Sequence, residues 1–170
     1  MIRTHRLELV PCDVEYLKAA LYDRAQLAHL LQVVVPQDWP VFPDSLKTAY
    51  QTLKIEPQLY GWLTYFFILT HAKVLIGSGG YKGRANRMGF VEIGYSIIPD
   101  FRNRGLATEA ARGLVEHAFL EQAVKVVCAH TLAGRHASAR ILEKLGMRRT
   151  RLIDDPRFGP VWRWELERGV

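Results

Sequence analysis

The sequence predicts an α+β fold (an α/β mixed sheet): one domain over residues 1–170, with a mostly antiparallel sheet, a central β-α-β unit and helices on both faces. Three observations predict it. Two aromatic and β-branched runs, Trp62 to Thr70 and Val74 to Tyr81, are separated only by His71-Ala72-Lys73, so the second reads as the antiparallel return of the first. The run Phe90 to Ile98 is followed by a helical pattern and then by the run Lys125 to Thr131, the order of a right-handed crossover unit. No repeat, low-complexity tract or Pro/Gly/Ser linker divides the 170 residues, a length usual for one domain.

The elements follow in order. Arg6 to Val10 alternates in polarity and ends at Pro11, a short strand. Asp13 to Leu31 places Val14, Leu17, Leu21 and Leu27 mostly at helical spacing, and a break near Asp23 makes two short helices. Pro36, Pro40 and Pro43 mark Val33 to Pro43 as a loop. Asp44 or Ser45 is the expected cap of a helix running to about Ile55, ahead of Pro57. Gly77-Ser78-Gly79-Gly80 lies inside a strand, where glycines mark a bulge or a close backbone approach, and opens no helix as a phosphate loop would. The strand Phe90 to Ile98 is closed by Pro99-Asp100. A long helix follows from about Gly105 to Glu121, with Leu106, Ala110, Leu114, Ala118 and Phe119 on its apolar face. After the strand Lys125 to Thr131, a helix from Ala137 to Leu145 is stopped by Gly146. Arg148 to Ile153 and Val161 to Leu166 are the closing strands, and Trp162 and Trp164 share one face of the last and pack the sheet.

Composition narrows the function classes. With 49% hydrophobic residues the chain reads as an ordinary soluble globular protein. Met1 to Arg6 carries no apolar signal core, and the longest apolar stretch, Trp62 to Leu69, is too short for a bilayer, so no membrane partner is expected. Cys12 and Cys128 have neither metal-ligand spacing nor a C-x-x-C arrangement, which suits buried packing in a reducing cytoplasm. His117, His130 and His136 share no helix face and no acid cluster; they read as single packed or surface histidines, and no metal is expected. The net charge of +6 is local. Phe101 to Arg151 holds ten Lys or Arg against four Glu, and the rest of the chain is balanced at thirteen each. Such a block favours a polyanion, either nucleic acid or a phosphate-rich cofactor. Basic residues interleaved with exposed aromatics are not evident, nor is a known binding motif, so nucleic acid is the disfavoured partner.

The chemistry concentrates after Ile98. A strand ends, the basic turn Arg102-Asn103-Arg104 follows, and a helix starts near Gly105. The first turn of a helix has backbone N–H groups without intrahelical partners, and its dipole adds partial positive charge. Gly105 and the small Ala107 let a phosphate approach the backbone, and Arg102 and Arg104 add charge.

Arg102-Asn103-Arg104-Gly105-Leu106-Ala107 matches R/Q-x-x-G-x-G/A, and so resembles the signature of the GNAT superfamily of N-acetyltransferases at every fixed position. Val91-Glu92-Ile93-Gly94-Tyr95 precedes it, Thr108-Glu109-Ala110 follows, and Ser138 to Met147 comes later. Together with Thr4 to Val10 these are similar to the branch that acetylates protein N-termini, including ribosomal-protein alanine and serine acetyltransferases. The resemblance is close over about Phe90–Arg149 and weakest between Pro11 and Pro57. It implies acetyl-CoA as the acetyl donor. Its pyrophosphate would rest on the backbone amides of Arg104, Gly105, Leu106 and Ala107, with Thr108 beside them and Arg102 and Asn103 completing the turn. The backbone of Ile97 and Ile98 would pair with the pantetheine arm in a cleft where this strand splays from Lys125–Thr131, a form of strand addition. Where the branch has Asn-x-x-Ser before the last helix, this chain has Arg135-His136-Ala137-Ser138. Arg135 either meets a cofactor phosphate or marks a different arrangement of the thioester end. That departure keeps a second reading open, a CoA-binding regulatory or inactive relative.

The resemblance further implies direct acetyl transfer to a primary amine, either a protein N-terminus or a small molecule such as an antibiotic or polyamine. Glu92 is the candidate base, acting through a water, with partial burial expected to raise its pKa toward neutrality; a salt-bridged strand residue is the plainer alternative. A backbone N–H near Ile97 is the natural donor to the oxyanion. Ser138 and Tyr95 are candidates for the leaving thiolate, although Ser138 also suits a cap of the last helix and Tyr95 a core position. Acceptor choice is expected to reside in Asp13–Pro57 and in the turn Asp154–Pro160. A homodimer is compatible with this reading.

Overall fold

A computed structural model describes residues 1–134 and 136–169. Its strands are β1 (Ile2–Arg3), β2 (Leu7–Pro11), β3 (Thr64–Leu69), β4 (Val74–Tyr81), β5 (Phe90–Ile97), β6 (Val126–Leu132), β7 (Arg148–Asp155) and β8 (Gly159–Glu167). Its helices are α1 (Val14–Tyr22), α2 (Arg24–Leu31), α3 (Pro43–Ile55), α4 (Leu106–Ala118) and α5 (Ala137–Lys144). The strands form one eight-stranded sheet in the order β1-β2-β3-β4-β5-β6-β8-β7. Every neighbouring pair is antiparallel except β5 and β6, which α4 joins as a parallel crossover. Among the described residues, no helix is long and apolar enough to cross a membrane.

Helices cover both faces, which explains why β3 lacks alternation. Phe66 and Ile68 pack with Leu17, Leu27, Leu46 and Leu53 of α1–α3. Phe67 and Leu69, one residue along, pack on the opposite face with Leu106, Ala110 and Leu114 of α4 and Leu142 of α5. A strand buried on both faces reads as a continuous apolar run. Trp164, 2% exposed, packs on the α4 and α5 side. The α1–α3 cluster draws its strand residues from β2, β3 and β4 and none from β6 or β8. The face of β5, β6 and β8 that turns away from α4 and α5 therefore lies beyond that layer.

Side-chain caps open α1 and α2. Asp13 accepts from the Tyr16 amide and Asp23 from the Gln26 amide, so Asp23 closes α1 and opens α2 at the expected break. At α3 the expectation is corrected: neither Asp44 nor Ser45 is the cap. Pro43 is the first helical residue, where its missing N–H costs nothing, and the Ser45 hydroxyl donates to the Phe42 carbonyl. α4 ends at Ala118 rather than Glu121, because the next amides, of Leu120 and Glu121, close tighter turns onto His117 and Ala118. β4 carries both glycine features: the β3–β4 register shifts between Phe67 and Ile68, and the backbone of β5 lies close against Gly77 and Gly79.

Candidate active site

The site is built where β5 changes partners. Its first residues pair with β6, at Phe90↔Val126, Val91↔Val127 and Glu92↔Cys128. From Ile93 to Ile97 it pairs with β4 instead, while β6 runs on to Leu132 against β8. The two strands thus part after Glu92 and Cys128 and leave a wedge with a strand edge on each side. Tyr95 spans it: the ring reaches α5, where its hydroxyl donates to the Ser138 carbonyl at 3.4 Å. Burial pushes the Tyr95 pKa well up, so the phenol keeps its proton.

Below the wedge lies the basic turn. Pro99–Phe101 forms a short 3₁₀ turn after β5. Asn103 and Gly105 then take left-handed conformations at φ 59° and 75°. Gly105 is the N-cap of α4, and no side chain caps the helix, so its first amides are left for a ligand. Arg102 Nε donates to the Ile97 carbonyl at 2.9 Å and ties the turn to the strand end. The Arg104 guanidinium stacks over Phe101 at 5.2 Å. The Ile98 amide donates to the Ile76 carbonyl on β4 and the Ile98 carbonyl accepts from the Phe101 amide, so both of its backbone groups are engaged within the chain, and the expected pairing with a partner in the wedge falls to the β5 edge before it. Leu106 is buried and faces the core, whereas Ala107 and Thr108 are half-buried. An uncapped helix start beside exposed arginines, below an open strand edge, fits a phosphate-bearing ligand with an extended arm.

A long-range lock holds this turn. Glu109 accepts from the Thr4 hydroxyl at 2.6 Å, from the Arg6 amide at 2.6 Å and from Arg6 Nε at 2.7 Å, and Arg6 Nη1 donates to the Arg104 carbonyl. Burial raises the Glu109 pKa, but these hydrogen bonds outweigh it and hold the carboxyl below its ordinary range. A depressed carboxyl stabilises the fold above its unfolded pKa, and that contribution is lost as the pH falls through the folded value. Glu109→Gln is therefore expected to cost about 1–2 kcal/mol at neutral pH, roughly 3–6 °C in a thermal melt. The gap from wild type should close as the pH falls below the carboxylate range.

Glu92 stands on the face of the sheet turned away from α4 and α5. Lys82, just past β4, contacts Glu92 Oε1, and His130 Nδ1 lies 3.0 Å from the same oxygen. Burial raises the Glu92 pKa, but hydrogen bonds from His130 and Lys82 prevail and hold it below the ordinary range. This corrects the expected upward shift. It also corrects the reading of His130 as a single packed or surface histidine. Alternation along β6 puts Cys128 and His130 on the Glu92 face, but the register that joins them is nonlocal. On β8, Glu165 and Arg163 are the register partners of Cys128 and His130. Beside them is a pocket of about 350 Å³ lined by Asn86, Met88, Phe90, Thr150, Arg151, Arg163 and Glu165. Cys128 is buried beneath this cluster, and burial pushes its thiol up to about 11.

Ser138 is corrected as a cap. His136 is the N-cap of α5 and Ser138 the second helical residue, which contributes its carbonyl to Tyr95. Arg135 lies outside the described residues.

Comparison with known proteins agrees with this architecture. A family model described as acetyltransferase (GNAT) domain matches residues 6–148. The uncharacterized N-acetyltransferase YjdG of Bacillus subtilis (strain 168) is 25% identical over 148 residues, which cover 86% of this chain and 88% of YjdG. The ribosomal-protein-S5-alanine acetyltransferase from Vibrio fischeri superposes with a TM-score of 0.70 at 14% identity, over 97% of this chain and 94% of its own. RimL, a ribosomal L7/L12 alpha-N-protein acetyltransferase solved in complex with coenzyme A, superposes with a TM-score of 0.70 at 15% identity, over 96% and 95%. With the family model spanning most of its length, and with its strands parting above an uncapped helix start, the chain belongs to the GNAT family of N-acetyltransferases.

Proposed function

We propose that this chain transfers the acetyl group of acetyl-CoA to a primary amine, with a protein N-terminal amine as the favoured acceptor. The observation that carries the reading is the parting of β5 and β6 after Glu92↔Cys128, directly above the uncapped start of α4. The amides of Leu106, Ala107 and Thr108, with the Arg102–Gly105 turn, would hold the pyrophosphate. The free edge of β5 up to Ile97 would align the pantetheine arm. Acetyl-CoA supplies the activated thioester; the protein's residues orient it, exclude water and move protons. Tyr95, kept protonated by burial, stands at the wedge as a donor to the departing sulfur. Glu92, at the point where the strands part, would assist removal of the amine's proton.

The acceptor would approach the face that carries Glu92, between the α1–α3 layer and the β7–β8 turn at Asp154–Pro160. The Vibrio fischeri enzyme and RimL, both named for action on ribosomal proteins, support a protein N-terminus. A panel of peptide N-termini and small amines, with thiol release as readout, tests the reading. Release is expected with at least one peptide, and Glu92→Gln is expected to lower turnover on the order of 10²-fold without loss of acetyl-CoA affinity. Absence of release with every amine, despite tight CoA binding, would sink it.

A further inference from the structure

We propose that His130 carries the proton taken from the amine, with Glu92 orienting the ring and balancing its charge. The inference rests on the acetyl-transfer reading and names a residue that local sequence pattern does not reveal. β5 and β6 pair only as far as Glu92↔Cys128, and His130 is the second residue beyond that point on β6. It therefore stands where the wedge opens, while its side chain turns back to Glu92 with Nδ1 3.0 Å from Oε1. A quarter of the imidazole is exposed. Thus a proton-carrying ring and a carboxylate from opposite walls meet at the apex.

The charges around the pair explain why Glu92 alone does not suit the task. Lys82 from the end of β4 and His130 from β6 converge on one oxygen of Glu92. Arg163 and Glu165 of β8 face the same cluster, pair with each other at 2.6 Å, and leave it no net charge of their own. Cys128 lies buried beneath and is uncharged. A carboxylate held below its ordinary range by two donors is a weak base toward an α-ammonium, whose ordinary pKa is about 8. An imidazole is the side chain suited to proton transfer near neutrality, and a carboxylate on Nδ1–H fixes the tautomer and stabilises the imidazolium that forms. With Nδ1–H directed at Glu92, the lone pair of the neutral ring is on Nε2.

The step balances. The amine nitrogen bonds to the acetyl carbonyl carbon, and its surplus proton passes to His130 Nε2, directly or through one water. The C–S bond breaks and the electron pair leaves with sulfur. The imidazolium then returns the proton, by way of solvent or Tyr95, and the products are an amide and a free thiol.

Two substitutions separate this role from a structural one. His130→Asn retains an N–H donor for Glu92 but no proton acceptor, and His130→Ala removes both. Both variants are expected to bind CoA and melt as wild type does, and to lose on the order of 10²-fold in kcat with little change in the KM for acetyl-CoA. Free imidazole should restore part of the activity of His130→Ala and none of Glu92→Gln. Nitrogen NMR of the ring, which needs no turnover, should show Nδ1 protonated and Nε2 bare in the neutral form. Wild-type turnover combined with an active His130→Asn, or with an Nε2–H tautomer, overturns the assignment of His130 alone. A wild-type protein that releases no thiol with any amine takes down acetyl transfer and the proton path together.

Discussion

Ala107→Glu is expected to weaken acetyl-CoA binding roughly 30-fold or more while the protein stays folded. Ala107 is the second residue of α4 and half-buried beside the Arg102–Gly105 turn, and no side chain caps the helix. A glutamate there can fold back onto the unpartnered amides, the position that the phosphates would take. An acidic residue in the first turn of a helix stabilises it by about 0.3–1 kcal/mol, so the melting temperature should hold or rise slightly. The same carboxylate repels the diphosphate and competes for its donors. A loss of about 2 kcal/mol in affinity corresponds to the 30-fold weakening. The opposite signs of the two effects make the experiment informative, since a general packing defect lowers both. Titration calorimetry with CoA and a thermal melt on the same sample suffice. Unchanged affinity would place the phosphates away from α4.

The turn was legible in the sequence because its parts are adjacent. Strand end, arginines, glycine and helix start all fall within Ile98 to Ala110. The Asp23 break between α1 and α2 was legible for the same reason, since an Asp capping the third residue on is a local device. What could not be read depends on register. Glu109 follows the Arg102–Ala107 turn by two residues, yet its partners are Thr4 and Arg6, more than a hundred residues earlier. His130 looks isolated in Val126 to Leu132 until β6 is set beside β5 and Glu92 falls within reach. A local pattern says which residues share a face of one strand; it does not say which strand lies alongside. Ser138 looks like a cap because it stands near the start of α5, but His136, two residues earlier, is the N-cap.

Gly79→Ala is expected to lower the melting temperature by about 5–10 °C and to weaken acetyl-CoA binding with it. Gly79 stands on β4 between Tyr65 of β3 and Tyr95 of β5. A Cβ there would lie 2.4 Å from the Gly94 carbonyl oxygen, 2.6 Å from Phe67 Cζ and 2.8 Å from Tyr95 Cα. Two of the three are backbone of β5, so the clash is not relieved by turning a side chain. In an unstrained site Gly→Ala gains about 0.4–1 kcal/mol by restricting the unfolded chain. Forcing atoms into a packed site costs about 1–3 kcal/mol, and more when backbone must move. The second effect wins, and a chain of this size loses about 2–4 °C per kcal/mol. The functional consequence follows from where the clash falls. Gly94 and Tyr95 lie just past the point where β5 leaves β6, so pushing them away from β4 moves the wall of the wedge. Gly94→Ala is the control on the opposing strand: a Cβ at Gly94 meets nothing within 4 Å, and its melting temperature should stay within about 2 °C of wild type. If Gly79→Ala melts with wild type, β4 and β5 do not meet in this register, and the wedge that the acetyl-transfer reading depends on is not shaped by their close approach.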